Sequence, residues 1–157
     1  MIVFILRHGE AEPKSSRIPD EERHLTKSGS ARLRKNLVIA KEIGTKIDLI
    51  LSSPIVRARE SAEIARDIFG TERLVIEETL EPTRSPYEVY QSLAGYSSFG
   101  RVLLVSHQPL VSSIMAGLLN WDQSFLEFSA GTIAKVEVRD LTNNPKGILV
   151  FLLPPPV

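Results

Sequence analysis

The apolar positions of the chain fall into short, separated blocks. Ile2–Leu6 is an unbroken run of strand-forming residues. That is the pattern of a strand buried on both faces. Residues 10–24 are polar, with Pro13, Pro19 and five acidic side chains, and predict a loop. Thr26 is placed to cap a helix over 27–43, whose apolar face carries Leu33, Leu37, Ala40 and Ile43 and which Gly44 ends. Asp48–Leu51 predicts a second strand. Ser52-Ser53-Pro54 closes it and opens a helix, with Pro54 at its first position, that runs to about Phe69 and is stopped by Gly70. Leu74–Ile76 reads as a weak strand, 77–86 as a polar loop and Tyr87–Ala94 as a short helix. Arg101–Val105 is a buried strand, and Leu110–Leu119 a helix with Leu110, Ile114, Met115 and Leu118 at core spacing. Gly131–Arg139 and Ile148–Leu153, with turn residues between them, predict an antiparallel hairpin, and Pro154–Pro156 ends the sheet.

Strands alternate with helices from residue 1 to 119. This implies an α/β fold: a three-layer sandwich with a mostly parallel central sheet, helices on both faces and a C-terminal antiparallel hairpin. No repeat or linker divides the chain, so one domain over 1–157 is expected. At 157 residues and 43% hydrophobic it has material for a core. It has no cysteine, which excludes disulfides and Cys-based zinc sites. Lys+Arg and Asp+Glu both number 19, so the net charge is zero and bulk attraction to nucleic acid is not expected. Residues 1–60 hold 12 basic and 8 acidic side chains, and 61–157 hold 7 and 11. Most of that imbalance reads as solvated surface charge. The longest apolar runs are far shorter than the ~18 residues that cross a bilayer. The first has no basic residues before it and no small-residue cleavage site after it, so a cytoplasmic domain without membrane contact is expected.

In such sheets ligands bind beyond the carboxyl ends of the strands. Three predicted strand ends carry chemistry. Arg7-His8-Gly9-Glu10 follows the first strand. Ser52-Ser53-Pro54 follows the second, with Arg57 one turn into the helix. Ser106-His107-Gln108 follows the strand that ends at Val105. Two arginines and two histidines then converge on one crevice. Forked guanidiniums suit phosphate oxygens, and imidazoles beside them point to phosphoryl transfer. Each segment alone is unspecific; their order at successive strand ends is not. A phosphate-binding module without catalysis would tolerate loss of His8, Arg57 or His107, and all three are present. Metal hydrolysis by His8, Glu10 and His107 is disfavoured by the arginines beside them. No phosphate-binding loop of the G-x-x-x-x-G-K-[ST] type and no G-x-G-x-x-G occurs.

The ordered segments resemble those of the histidine phosphatase superfamily. They are Leu6-Arg7-His8-Gly9-Glu10-Ala11, Asp20-x-x-Arg23-x-Leu25-Thr26-x-x-Gly29, Ser52-Ser53-Pro54-x-x-Arg57-Ala58 and Val105-Ser106-His107-Gln108-Pro109. In size and detail the chain is similar to the small SixA-type phosphohistidine phosphatases. The resemblance implies that His8 is a nucleophile forming a phosphohistidine intermediate that water hydrolyses. Arg7, Arg57 and His107 would bind the phosphoryl oxygens, and Arg23 would sit near the pocket mouth. It implies no metal and no cofactor. Flanking cations should keep His8 neutral, with its second ring nitrogen donating to an acceptor such as a backbone carbonyl. His24 stands where many relatives have Pro, and reads as an exposed loop histidine.

Glu81, in Thr79–Arg84, lies near the place of a general acid in the superfamily's phosphomonoesterases. The same segment also resembles the Leu-x-Pro of small members that lack the acid. The large insertions of the mutases are absent, so an open crevice able to admit a protein side chain is expected. The expected activity is hydrolysis of phosphohistidine on proteins. The alternative is a small-molecule or sugar phosphate monoesterase using Glu81 as general acid. The partner is accordingly a phosphorylated protein or a small phosphate, and neither nucleic acid nor membrane.

Overall fold

The computed structural model describes residues 1–142 and 144–157. The strands are β1 (Ile2–Arg7), β2 (Leu49–Ser52), β3 (Leu74–Ile76), β4 (Arg101–Ser106), β5 (Ile133–Asp140) and β6 (Lys146–Leu153). The helices are α1 (Lys27–Glu42), α2 (Val56–Phe69), α3 (Pro86–Ala94) and α4 (Leu110–Leu119). The strands form one sheet in the order β3-β2-β4-β1-β5-β6. The first four are mutually parallel, and β5 and β6 continue the sheet antiparallel. This is the three-layer α/β arrangement with its C-terminal hairpin.

Alternation along β1 builds both cores. Val3 and Ile5 face the layer of α3 and α4, with Leu104, Val111 and Ile114. Phe4 and Leu6 face the layer of α1 and α2, with Leu37, Ala62 and Leu103. Each of the four central residues of β1 is at most 1% exposed, as the unbroken apolar run predicts.

Local signals set most boundaries. The Thr26 hydroxyl accepts the Gly29 amide and caps α1. Ser85 and Glu88 form a reciprocal capping box at α3. Gly70 closes α2 in the left-handed conformation. Three expectations are corrected. α2 starts at Val56, so Pro54 lies before the helix and Arg57 is its second residue; the Ser53 hydroxyl takes the Ile55 amide and holds this turn out of the helix. Ile43 is exposed and not part of the α1 apolar face, because α1 ends at Glu42. The loop after β3 is not wholly irregular, since Glu78–Leu80 makes a single 3-10 turn.

Two close approaches join the 10–24 loop and the C-terminal hairpin to the end of β1. The Gly29 Cα lies against the Glu10 carbonyl, which accepts the Thr26 amide at 2.9 Å; a Cβ at Gly29 would lie 2.2 Å from that oxygen. Gly131, at φ +83°, donates its amide to both the Arg7 and His8 carbonyls. Its own carbonyl accepts from Asn36 Nδ2, which also bonds the Leu153 carbonyl at the end of β6. Asn36 is fully buried, so this one amide ties α1 to both.

Gly29→Ala is expected to cost roughly 1–3 kcal/mol, because the contact is with backbone that cannot rotate away. Urea unfolding of the variant against wild type measures it.

Candidate active site

Strand register gathers the predicted side chains. Arg7 pairs with Ser106 across β1 and β4, and Ser52 with Val105 across β2 and β4. His8 and His107 therefore leave adjacent parallel strands at one level, with ring centroids 5.0 Å apart. Arg57, in the first turn of α2, points back at them. A cavity of about 420 Å³ lies there, lined by Arg7, His8, Arg23, Arg57 and His107 among others. The structure thus brings together four of the predicted residues and places Arg23 at the same cavity. His24 is elsewhere: it is exposed, and its Nδ1 lies 2.6 Å from a Glu60 oxygen.

Glu81, the candidate general acid, is not among the cavity-lining residues, although its neighbour Pro82 is. Its carboxylate lies 3.9 Å from Arg84. The 3-10 turn before it sets this direction, and the Ser106 hydroxyl fixes the turn by donating to the Leu80 carbonyl at 2.7 Å.

The hydrogen bonds define the two imidazoles. His8 Nδ1 lies 2.7 Å from the Gly9 carbonyl, an acceptor only, so Nδ1 carries the proton. Nε2 then presents its lone pair, and Arg57 Nε–H donates to it at 3.2 Å. His107 Nε2 lies 2.8 Å from the Ser53 hydroxyl, which already accepts the Ile55 amide. Ser53 keeps its hydroxyl proton for Nε2, and in the arrangement where it donates there the proton of His107 is on Nδ1. His107 Nδ1 and the Nε–H of Arg7 are buried and meet no hydrogen-bond partner among the described residues. An oxyanion supplies acceptors of the right kind.

The supporting contacts come from every layer. Arg7 donates from Nη1 to the Phe128 carbonyl. The Ser61 hydroxyl donates to the Arg57 carbonyl at 2.7 Å and accepts the Gly9 amide at 3.0 Å, joining α2 to the turn after β1. Asp20 accepts from Arg57 and Arg23. Sequence reasoning did not single out Asp20, Ser53, Ser61 or the cavity-lining Lys14 as site residues. Asp20 and Ser53 stand inside the quoted segments, and that position was the only signal.

Charge follows from this packing. The cavity lining holds Arg7, Lys14, Arg23 and Arg57 against Glu10 and Asp20, an excess of two positive charges that matches a phosphoryl dianion. Burial, and then the arginines, lower the His8 pKa from 6.5 to about 4. Burial, then His8 and Arg57, lower that of His107. Both imidazoles are neutral at pH 7. Burial also lowers Arg7 and Arg57, yet a guanidinium keeps its proton.

A model of the "Histidine phosphatase superfamily (branch 1)" matches residues 3–82. A "Phosphohistidine phosphatase SixA homolog" of Haemophilus influenzae is 34% identical over 148 residues, covering 87% of each chain. The solved structure of the protein histidine phosphatase SixA complexed with tungstate superimposes with a TM-score of 0.87 at 28% identity, over 99% of this chain and 97% of that one. The alpha-ribazole phosphatase from Shigella flexneri, at 18% identity, shares the fold with a TM-score of 0.71, over 97% and 96%. The chain belongs to the histidine phosphatase superfamily, and within it resembles the SixA phosphatases. It is a phosphatase.

Neutral burial of His8 and His107 has a pH signature. Unfolded, each binds a proton below about pH 6.5. Folded, both resist protonation, so the unfolded state holds more protons and stability falls with acidification. Between about pH 6.5 and 4 the slope is on the order of 1.4 kcal/mol per pH unit for each histidine. Glu60 raises His24, which acts in the opposite sense, its contribution being lost as pH rises. His8→Asn should therefore lose less stability than wild type between pH 7 and 5, as measured by urea unfolding at both.

Proposed function

We propose that the protein hydrolyses phosphohistidine on proteins through a phosphohistidine intermediate at His8. The carrying observation is that no carboxyl group lining the cavity is left unpaired among the described residues. Among the described residues its lining carboxylates are Glu10 and Asp20. Glu10 faces Thr26 and Arg32. Asp20 is paired with Arg23 and Arg57, which hold its carboxyl below the usual carboxylate range. Glu81 is turned to Arg84.

Leaving-group chemistry then selects the substrate. A sugar or serine alkoxide needs a proton from a placed acid, assistance that contributes typically about 10²–10⁴-fold. Imidazole, with a pKa of ~6.5, takes its proton from water near neutral pH and departs neutral. In the first step the His8 Nε2 lone pair forms a bond to phosphorus in line with the substrate N–P bond, which breaks. Arg7, Arg57 and His107 hold the three equatorial oxygens, and Arg23 adds positive charge at the mouth. Water then attacks phosphorus, the His8–phosphorus bond breaks with its electron pair returning to Nε2, and the water's protons are shared between phosphate and solvent. The likeness to SixA phosphatases supports the same reading.

Brief incubation with labelled substrate and an acid-free quench should trap phosphohistidine at residue 8, and His8→Asn should abolish both trapping and turnover. Glu81→Gln should leave phosphohistidine hydrolysis within about twofold, consistent with the lost acid contributing nothing of the size general acids give. Better turnover of an alkyl phosphate than of a phosphohistidine peptide, with a hundredfold or greater loss in Glu81→Gln, would replace this reading with the monoesterase one.

A further inference from the structure

We propose that Asp20 is an internal counter-anion of the phosphoryl site, which gathers Arg57 and Arg23 in the free enzyme and hastens departure of phosphate by repelling it. The inference rests on the phosphatase reading of the cavity and adds a determinant of product release to it.

The geometry is asymmetric around Arg57. A guanidinium has five N–H bonds. Arg57 directs one from Nε to His8 Nε2, one from Nη1 to the Asp20 carbonyl at 2.7 Å and one from Nη2 to Asp20 Oδ2 at 3.1 Å. Asp20 Oδ1 accepts from Arg23 at 2.9 Å from Nη2 and 3.0 Å from Nε. One carboxylate thus bridges two of the three arginines at the cavity. The Arg57 side chain is only 6% exposed, whereas that of Asp20 is 46% exposed, on a 3-10 turn at the cavity edge. The buried cation is fixed and its anion is at the rim.

A phosphoryl group on His8 Nε2 takes the position that Arg57 Nε–H now addresses. That N–H must turn to a phosphoryl oxygen as the bond to phosphorus forms. Phosphate and Asp20 then share Arg57 and stand as like charges a few ångströms apart. Three arginines without Asp20 would hold the dianionic product tightly, and product release can limit turnover. Asp20 keeps part of the cationic field occupied, so that departure of phosphate restores a satisfied ion pair.

A residue that only positions Arg57 predicts the opposite outcome to a counter-anion. Asp20→Asn keeps the shape, one acceptor oxygen and the backbone carbonyl, removes the charge and turns an amide NH2 toward one of the two guanidiniums. Calorimetric titration with inorganic phosphate and with tungstate should show Asp20→Asn binding both roughly three- to tenfold more tightly than wild type at low salt, the range expected for removing one nearby, partly solvated charge. The gain should shrink at high salt, where such interactions are screened. Phosphate should inhibit the variant more strongly, and steady-state turnover should fall relative to single-turnover phosphorylation of His8. Asp20→Ala, which also releases the guanidiniums, should bind oxyanions more weakly than Asp20→Asn.

Affinity of Asp20→Asn unchanged within twofold, or weaker, would overturn the proposal and leave Asp20 as a positioning residue. Equal affinity of the two variants would overturn the gathering role. These affinities are read without turnover. A wild-type enzyme that prefers an alkyl phosphate would therefore defeat the substrate reading and leave this result standing.

Discussion

The catalytic end of the molecule is built on the parallel pairing of β1 with β4. Arg7 stands opposite Ser106, so the residues that follow, His8 and His107, emerge side by side. Pairing of β2 with β4 then brings Ser53 to 2.8 Å from the second imidazole. A slip of one residue would exchange the two faces of the strand, and would put Phe4 and Leu6 where Val3 and Ile5 belong. The core that fixes the register therefore fixes the distance between the histidines. Stability and chemistry share one determinant here, and neither can drift without the other.

The second constraint is electrostatic. Arginines cannot shed their protons when buried, so the imidazoles absorb the cost of crowding by staying neutral. A neutral His8 with its Nδ1 proton bound to the Gly9 carbonyl is a nucleophile held in one tautomer. Lysine at position 57 could not replace the guanidinium. Its single ammonium cannot address His8 Nε2 and both acceptors of Asp20 from one planar fork.

The order of strands and helices was legible because each buried strand is an apolar run and each helix has a signal at its ends. α4 occupies the residues read for it, Leu110–Leu119. β1 and β4 run one residue further than read, because the ladder continues through Arg7 and Ser106, whose polar side chains mask it. Pro54 misled for a related reason: the Ser53 side chain competes for the amide that would have begun the helix. His8, Arg7, Arg57 and His107 were legible as candidates because they stand at strand ends or one turn beyond. Asp20 and Lys14 were not, since the 10–24 loop has no periodicity and only its closure brings them to the cavity. The direction of Glu81 was equally hidden, because in a loop the sequence locates a residue without orienting its side chain.

The amide of Asn36 gives the edge of the sheet a hold on its centre. It joins Leu153, at the last residue of β6, to Gly131, whose own amide grips the Arg7 and His8 carbonyls. Fraying of the terminal hairpin would therefore be felt beyond the rim of the molecule. An opening that withdrew the Leu153 carbonyl would leave Asn36 Nδ2 held to Gly131 alone, and would take one support from the turn on which the nucleophile is mounted.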